Sequence, residues 1–195
     1  MRYKSHDWLY KDILRRVKST LNRLGIEYWL VGSIAYDIYI NDHELKSYHD
    51  VDILIPKPSK DTMLTIYRSL QAKGFQPLTP FDGEHWHYRF NIKGIDVDII
   101  FPYDFKITDE MRERTKEVYF GKKCKKVRVI PPEDLIILYL LSGRETDTEK
   151  VKNLLNLNNL DFDYLKQRYE LHKPAIEKKS GDILPYIEKK LYETI

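Results

Sequence analysis

Two aspartates one residue apart inside an apolar run, His49-Asp50-Val51-Asp52-Ile53-Leu54-Ile55-Pro56, are the residues of this chain best placed to do chemistry. In an extended strand alternate residues share a face, so Asp50 and Asp52 point the same way with Cα atoms about 6.6 Å apart, while Val51, Ile53 and Ile55 turn the other way. Two carboxylates that close raise each other's pKa unless a cation is shared between them. Magnesium fits such a patch, because it takes oxygen ligands and completes its octahedron with water and substrate phosphates. A second run of the same kind follows at Gly94-Ile95-Asp96-Val97-Asp98-Ile99-Ile100-Phe101-Pro102. Asp96 and Asp98 share one face, and alternation leaves open which of them joins the first pair.

Upstream, the apolar stretch from Tyr28 to Val31 ends in Gly32-Ser33, and a helical pattern begins there. A glycine lets backbone N–H groups come close to a ligand, a serine adds a hydroxyl donor, and a helix N-terminus carries partial positive charge. An anion cradle and a cation site therefore lie in one strand–helix–strand unit, which reads as a metal-dependent nucleotide site.

This order of strand, Gly-Ser, helix and Asp-x-Asp resembles the nucleotidyltransferase superfamily of DNA polymerase β, CCA-adding enzymes and the antibiotic nucleotidyltransferases. Sixteen residues separate Ser33 from Asp50, a spacing similar to that of the aminoglycoside- and lincosamide-modifying members and of toxin-like relatives. The resemblance implies nucleotide binding at Gly32 and Ser33 and metal binding at Asp50 and Asp52. It also implies a third catalytic and metal-binding carboxylate, for which Asp98, followed by two apolar residues, is preferred over Asp96. Two Mg²⁺ ions roughly 3.5–4 Å apart would then serve attack on the α-phosphate of a nucleoside triphosphate such as ATP, with release of pyrophosphate. The acceptor hydroxyl could belong to an RNA 3′ end, a small molecule or a protein. A second resemblance, Pro132-Glu133-Asp134-Leu135-Ile136 through Gly143-Arg144 to Asp147, is to AbiEii-like and antibiotic-type members. It brings in an alternative: a catalytically degenerate protein of this fold acting as a nucleotide-binding module or with a toxin–antitoxin partner.

The elements that must position these residues are legible as patterns. Leu9, Ile13, Val17, Leu21 and Leu24 recur at helical spacing, and Gly25 supplies a stop, so a helix is expected from about Asp7 to Leu24. Glu27 to Val31 reads as a strand. Ser59 is placed to cap a helix running to about Lys73, with Met63, Ile66, Tyr67 and Leu70 inward and Gly74 ending it. Glu84–Ile92 and Ile95–Phe101 read as a hairpin turning at Lys93-Gly94. Another strand pair is expected at Lys116–Phe120 and Lys125–Ile130, turning at Gly121. Pro131-Pro132 then breaks the chain before a helical stretch. The fold class is α+β, a mixed sheet flanked by helices, with a catalytic domain over 1–130 and a helical region over 131–195.

Composition narrows the setting. Of the 195 residues 32% are charged and 42% apolar, with no apolar run long enough to span a membrane, which points to a soluble cytoplasmic protein. A net charge of +3 is too small to argue nucleic-acid binding. The basic cluster Lys122-Lys123-Cys124-Lys125-Lys126-Val127-Arg128 reads as a solvated strand edge, and Cys124, the single cysteine, takes no role. His85 and His87 form a poor zinc set; alternation would turn Trp86 to the core and both imidazoles to the carboxylate face. His49 reads either as a strand-end histidine or as one positioning a phosphate or an aspartate, and Arg144 with Asp147 as a structural pair.

Overall fold

The computed structural model describes residues 7–41, 50–119 and 126–192. His49, Cys124, Gly121 and most of the polar stretch before Asp50 lie outside them. Two compact units are present, the first made of residues 1–34, 45–103 and 116–129 and the second of 35–44, 104–115 and 130–195.

The first unit carries the sheet. It opens with helix α1 (Asp7–Arg23), which ends where Gly25 takes φ +68°, followed by strand β1 (Trp29–Val31) and the start of helix α2 (Gly32–Ile40). Strand β2 (Val51–Leu54), helix α3 (Lys60–Gln71), the two-residue strand β3 (Gln76–Pro77) and the hairpin β4 (His87–Ile92) and β5 (Ile95–Ile100) come next. Strands β6 (Lys116–Val118) and β7 (Val127–Val129) complete it, after helix α4 (Asp109–Arg114), which belongs to the second unit. Among the described residues the strands form one seven-stranded sheet in the order β3-β4-β5-β2-β1-β7-β6. It is mixed: β2 runs parallel to β5 and β1 to β7, and the remaining neighbours are antiparallel.

From His87 to Ile92 the alternation expected of this strand is present. Tyr88, Phe90 and Ile92 are buried, while His87, Arg89 and Asn91 are only partly so. On the buried face Tyr67 of α3 meets both Tyr88 and Phe90 ring to ring at 5.7 and 5.1 Å, and Phe75 closes edge-on against Phe90. Such aromatic pairs add about 0.5–1.5 kcal/mol beyond their buried area. Helix α3 begins where Ser59 Oγ accepts the N–H of Thr62, and it buries Met63, Ile66, Tyr67 and Leu70. The hairpin turns at Lys93 and Gly94, both with positive φ, the backbone that a two-residue hairpin loop requires.

One stretch departs from the pattern. The strand does not reach back to Glu84, and Trp86 does not enter the core but is about half exposed. Asp82 is the reason: its carboxylate accepts the N–H groups of Glu84 and His85, Gly83 takes φ +79°, and the hydroxyl of Tyr88 accepts the Gly83 N–H. A turn held by three such bonds outcompetes three more residues of strand.

The second unit is helical. After α4 it comprises α5 (Pro132–Ser142), α6 (Thr148–Leu154), α7 (Phe162–Glu177) and α8 (Leu184–Tyr192). Helix α5 starts on proline, whose missing N–H is harmless in a first turn, and stops at Gly143 with φ +65°. It is apolar nearly all round and is buried accordingly, with α6 and α7 packed on it. Among the described residues no helix is long and apolar enough to cross a membrane.

Candidate active site

Strand pairing brings the carboxylates together. In β1–β2 Val31 lies opposite Asp52, and in the parallel pair β2–β5 Asp52 lies opposite Asp98. Neighbouring strands are about 4.8 Å apart, so the backbones of Asp52 and Asp98 are adjacent, with side chains on one face. Asp50, just before β2, is exposed, and Asp52 is partly buried. Asp96 lies one pleat from Asp98 on β5 and accepts a 2.6 Å hydrogen bond from the side-chain amide of Asn91.

Gly32 is fixed by two constraints at once. Its φ of +64° belongs to the left-handed region, and a Cβ placed on it would lie 1.9 Å from Oδ2 of Asp52. The Asp52 carboxylate therefore rests against the first residue of α2, where the backbone N–H groups are uncommitted to the helix and the helix dipole favours negative charge. Ser33 follows directly on that first turn.

Asp98 is held differently. Its side chain is 7% exposed, and Arg89 of β4 engages it with both prongs, Nε to Oδ1 at 2.9 Å and Nη2 to Oδ2 at 2.7 Å. Arg89 itself is 41% exposed, and its Nη1 lies 3.8 Å from Asp96. The hydrogen bonds to Asp98 come first in pushing the Arg89 pKa up, opposed by partial burial and aided by the charges of Asp98, Asp50 and Asp96. The guanidinium thus sits in the field of three carboxylates as their resident cation. Beside it, the His87 pKa is lowered chiefly by burial, with Asp98 pulling it up and Arg89 and His85 pulling it down. Its Nδ1 is buried with no hydrogen-bond partner among the described residues.

All-oxygen donors at Asp50, Asp52 and Asp98 suit a hard divalent ion in chemistry. Among the described residues, however, no three acidic, histidine or cysteine side chains converge on one point, and both oxygens of Asp98 are already taken by Arg89. The oxygen donors are of the kind magnesium takes, and a cation at Asp98 would have to compete with Arg89.

Arg89 is the site residue that the reading of motifs passed over. The signal was available: counting outward from a two-residue turn at Lys93-Gly94 pairs Ile92 with Ile95, and hence Arg89 with Asp98. The Glu133-Asp134 motif has a different duty, in the second unit. Glu133 accepts the N–H of Asp161, and Asp134 receives Arg168 Nε at 2.5 Å and the Tyr164 hydroxyl at 2.7 Å. Both acids tie α5 to α7. Asp147, also buried, is bound by Arg144, Lys150 and Ser142.

The chain matches, over residues 10–193, the family described as "Nucleotidyl transferase of unknown function (DUF2204)". It belongs to that family. No curated protein sequence matches the chain. Among solved structures, this nucleotidyl transferase family member resembles the antibiotic-resistance factor ANT(2″)-Ia in solution. The TM-score is 0.58 at 12% identity, covering 92% of this chain and 97% of that one. The crystal structure of ANT(2″)-Ia with adenylyl-2″-tobramycin gives 0.57 at 11% identity, covering 87% and 98%. An antigenic nucleotidyltransferase-like protein from Paracoccidioides brasiliensis gives 0.51 at 16%, covering 94% and 96%. At such identities the likeness is one of fold, and the α+β nucleotidyltransferase fold is what these structures share with the chain.

Proposed function

We propose that this nucleotidyl transferase moves a nucleoside monophosphate from a nucleoside triphosphate to an acceptor hydroxyl, using Mg²⁺ and the carboxylates Asp50, Asp52 and Asp98. The observation that carries the reading is the register of Asp52 with Asp98 at the N-terminus of α2, inside a chain of this family. The oxygen of the acceptor hydroxyl forms a bond to the α-phosphorus as the bond from that phosphorus to the α–β bridging oxygen breaks, and pyrophosphate leaves. The proton of the hydroxyl passes to Asp98. Gly32 and Ser33 supply backbone and hydroxyl donors to the triphosphate at the helix start. Magnesium, held by Asp50, Asp52 and Asp98, would neutralise phosphate charge and lower the pKa of the hydroxyl.

Among the acceptors, a small polyhydroxylated molecule is the first to test, because ANT(2″)-Ia, whose chain is matched nearly end to end, was solved in complex with adenylyl-2″-tobramycin. RNA 3′ ends and protein side chains complete the panel. The experiment incubates each α-labelled nucleoside triphosphate and Mg²⁺ with the protein and an aminoglycoside and lincosamide set, total RNA or cell extract. Label transferred by the native protein and reduced at least ~100-fold in Asp52→Asn supports the assignment, since losing several kcal/mol of charge stabilisation has that effect. Undiminished transfer by a folded Asp52→Asn protein would remove Asp52 from the site.

A further inference from the structure

The two halves of the Arg89–Asp98 pair differ in freedom. Asp98 is buried in a central strand with neighbours on both sides, whereas Arg89 reaches it from β4 on a long side chain that is 41% exposed. Four rotatable bonds and open solvent let the guanidinium leave, and nothing comparable lets the carboxylate follow. A divalent ion bound at Asp98 would have to share or take over oxygens that both accept from Arg89, and its charge repels the guanidinium. Released from Asp98, the guanidinium stays tethered beside the carboxylate band, and its planar fork matches a phosphate as well as a carboxylate.

We propose that Arg89 is an exchangeable counter-ion of the carboxylate site, displaced from Asp98 when a divalent cation loads and then taken up by the triphosphate that arrives with it. The inference rests on the nucleotidyl-transfer reading in placing the metal at Asp98. Its consequence is a coupling. A bare cation must compete with Arg89 and binds weakly, whereas cation plus nucleotide offers the guanidinium a new anion and binds more tightly than the two separate affinities would give. Arg89 acts as a positioning residue that ties metal loading to the presence of substrate.

Mn²⁺ binding followed by electron paramagnetic resonance, with and without a non-hydrolysable nucleoside triphosphate analogue, tests this on the whole chain. Arg89→Gln should bind Mn²⁺ alone more tightly by about fivefold or more, the effect of removing a competing charge at a partly solvated site. It should also lose most of the enhancement by nucleotide. Arg89→Lys, which keeps the charge but not the fork, should fall between, and it serves if Arg89→Gln does not fold. The gain in Arg89→Gln should vanish when Asp98→Asn is added. Unchanged Mn²⁺ affinity in Arg89→Gln, a gain that survives Asp98→Asn, or nucleotide enhancement equal to that of the native protein would each overturn the proposal. Because the readout is binding, a native protein that shows this exchange but transfers no label would refute the enzymatic reading while leaving the exchange standing.

Discussion

Two aspartate–arginine pairs, one in each unit, use the same functional groups and differ in what surrounds them. Asp98 with Arg89 is half open, a buried acid met by an arginine that reaches in from solvent. Asp134 with Arg168 is closed: the side chains are 0% and 3% exposed, and each is held by further bonds, the acid by Tyr164 and the base by the carbonyl of Lys106. His172 continues that network, its Nδ1 against the carbonyl of Arg168 and its Nε2 accepting the N–H of Lys106, with the ring stacked on Phe105. Burial pushes the Asp134 pKa up while Arg168 and Tyr164 pull it down. The lesson is that ion-pair geometry alone does not distinguish a hinge pin from a working part. Whether one partner can leave does.

The comparison can be broken most decisively at Arg168. Arg168→Met strands a buried carboxylate and should lower unfolding free energy by about 3–5 kcal/mol in urea titration. A loss under 1 kcal/mol would mean that the network is no more committed than the open pair. Gly32→Ala, in the open region, should lower stability by about 1–3 kcal/mol through its positive φ and should also reduce transfer, because its methyl group meets Asp52. Transfer at the native rate would show that Asp52 can move without consequence.

The sealed network should also respond to acid. Burial lowers the His172 pKa to about 4, below its usual value near 6.5. The unfolded chain therefore binds the proton first, and stability, complete above pH 6.5, should fall between 6.5 and 4 by at most about 1.4 kcal/mol per pH unit. Denaturation midpoints across that window should flatten in His172→Gln; an unaltered slope would place the acid sensitivity elsewhere. The smallest effect belongs to the half-open pair. Arg89→Gln should change stability by about 1 kcal/mol or less, because solvent takes over part of what the guanidinium provides.

Much of the scaffold around the open pair could be read from residue order. Ser59 announced the start of α3, Gly25 and Gly74 lie just past the helices they were expected to end, and Lys93-Gly94 set the hairpin. Local chemistry decides such features, and it is written in the residues concerned. Helix α4 was missed although Thr108 caps it by accepting the Met111 N–H, because six residues are too few to display a helical period. Strand β3 was missed for the same reason at two residues. Trp86 was misplaced because alternation was carried back past His87, into the turn that Asp82 holds. In the candidate site the carboxylates were singled out by type and spacing. Their resident guanidinium was not, since Arg89 belongs to no motif and its partner is fixed only by strand register.

Register has a last consequence at the margin of the sheet. Beyond β4 the sheet carries only the two-residue strand β3, and one of its residues, Pro77 opposite Phe90, has no N–H to offer. A second polypeptide seeking to extend the sheet there would find a two-residue template in which Pro77 offers no amide donor, too short to hold a strand. The outer rim next to the carboxylate hairpin is thus closed to edge-to-edge aggregation by one imino acid.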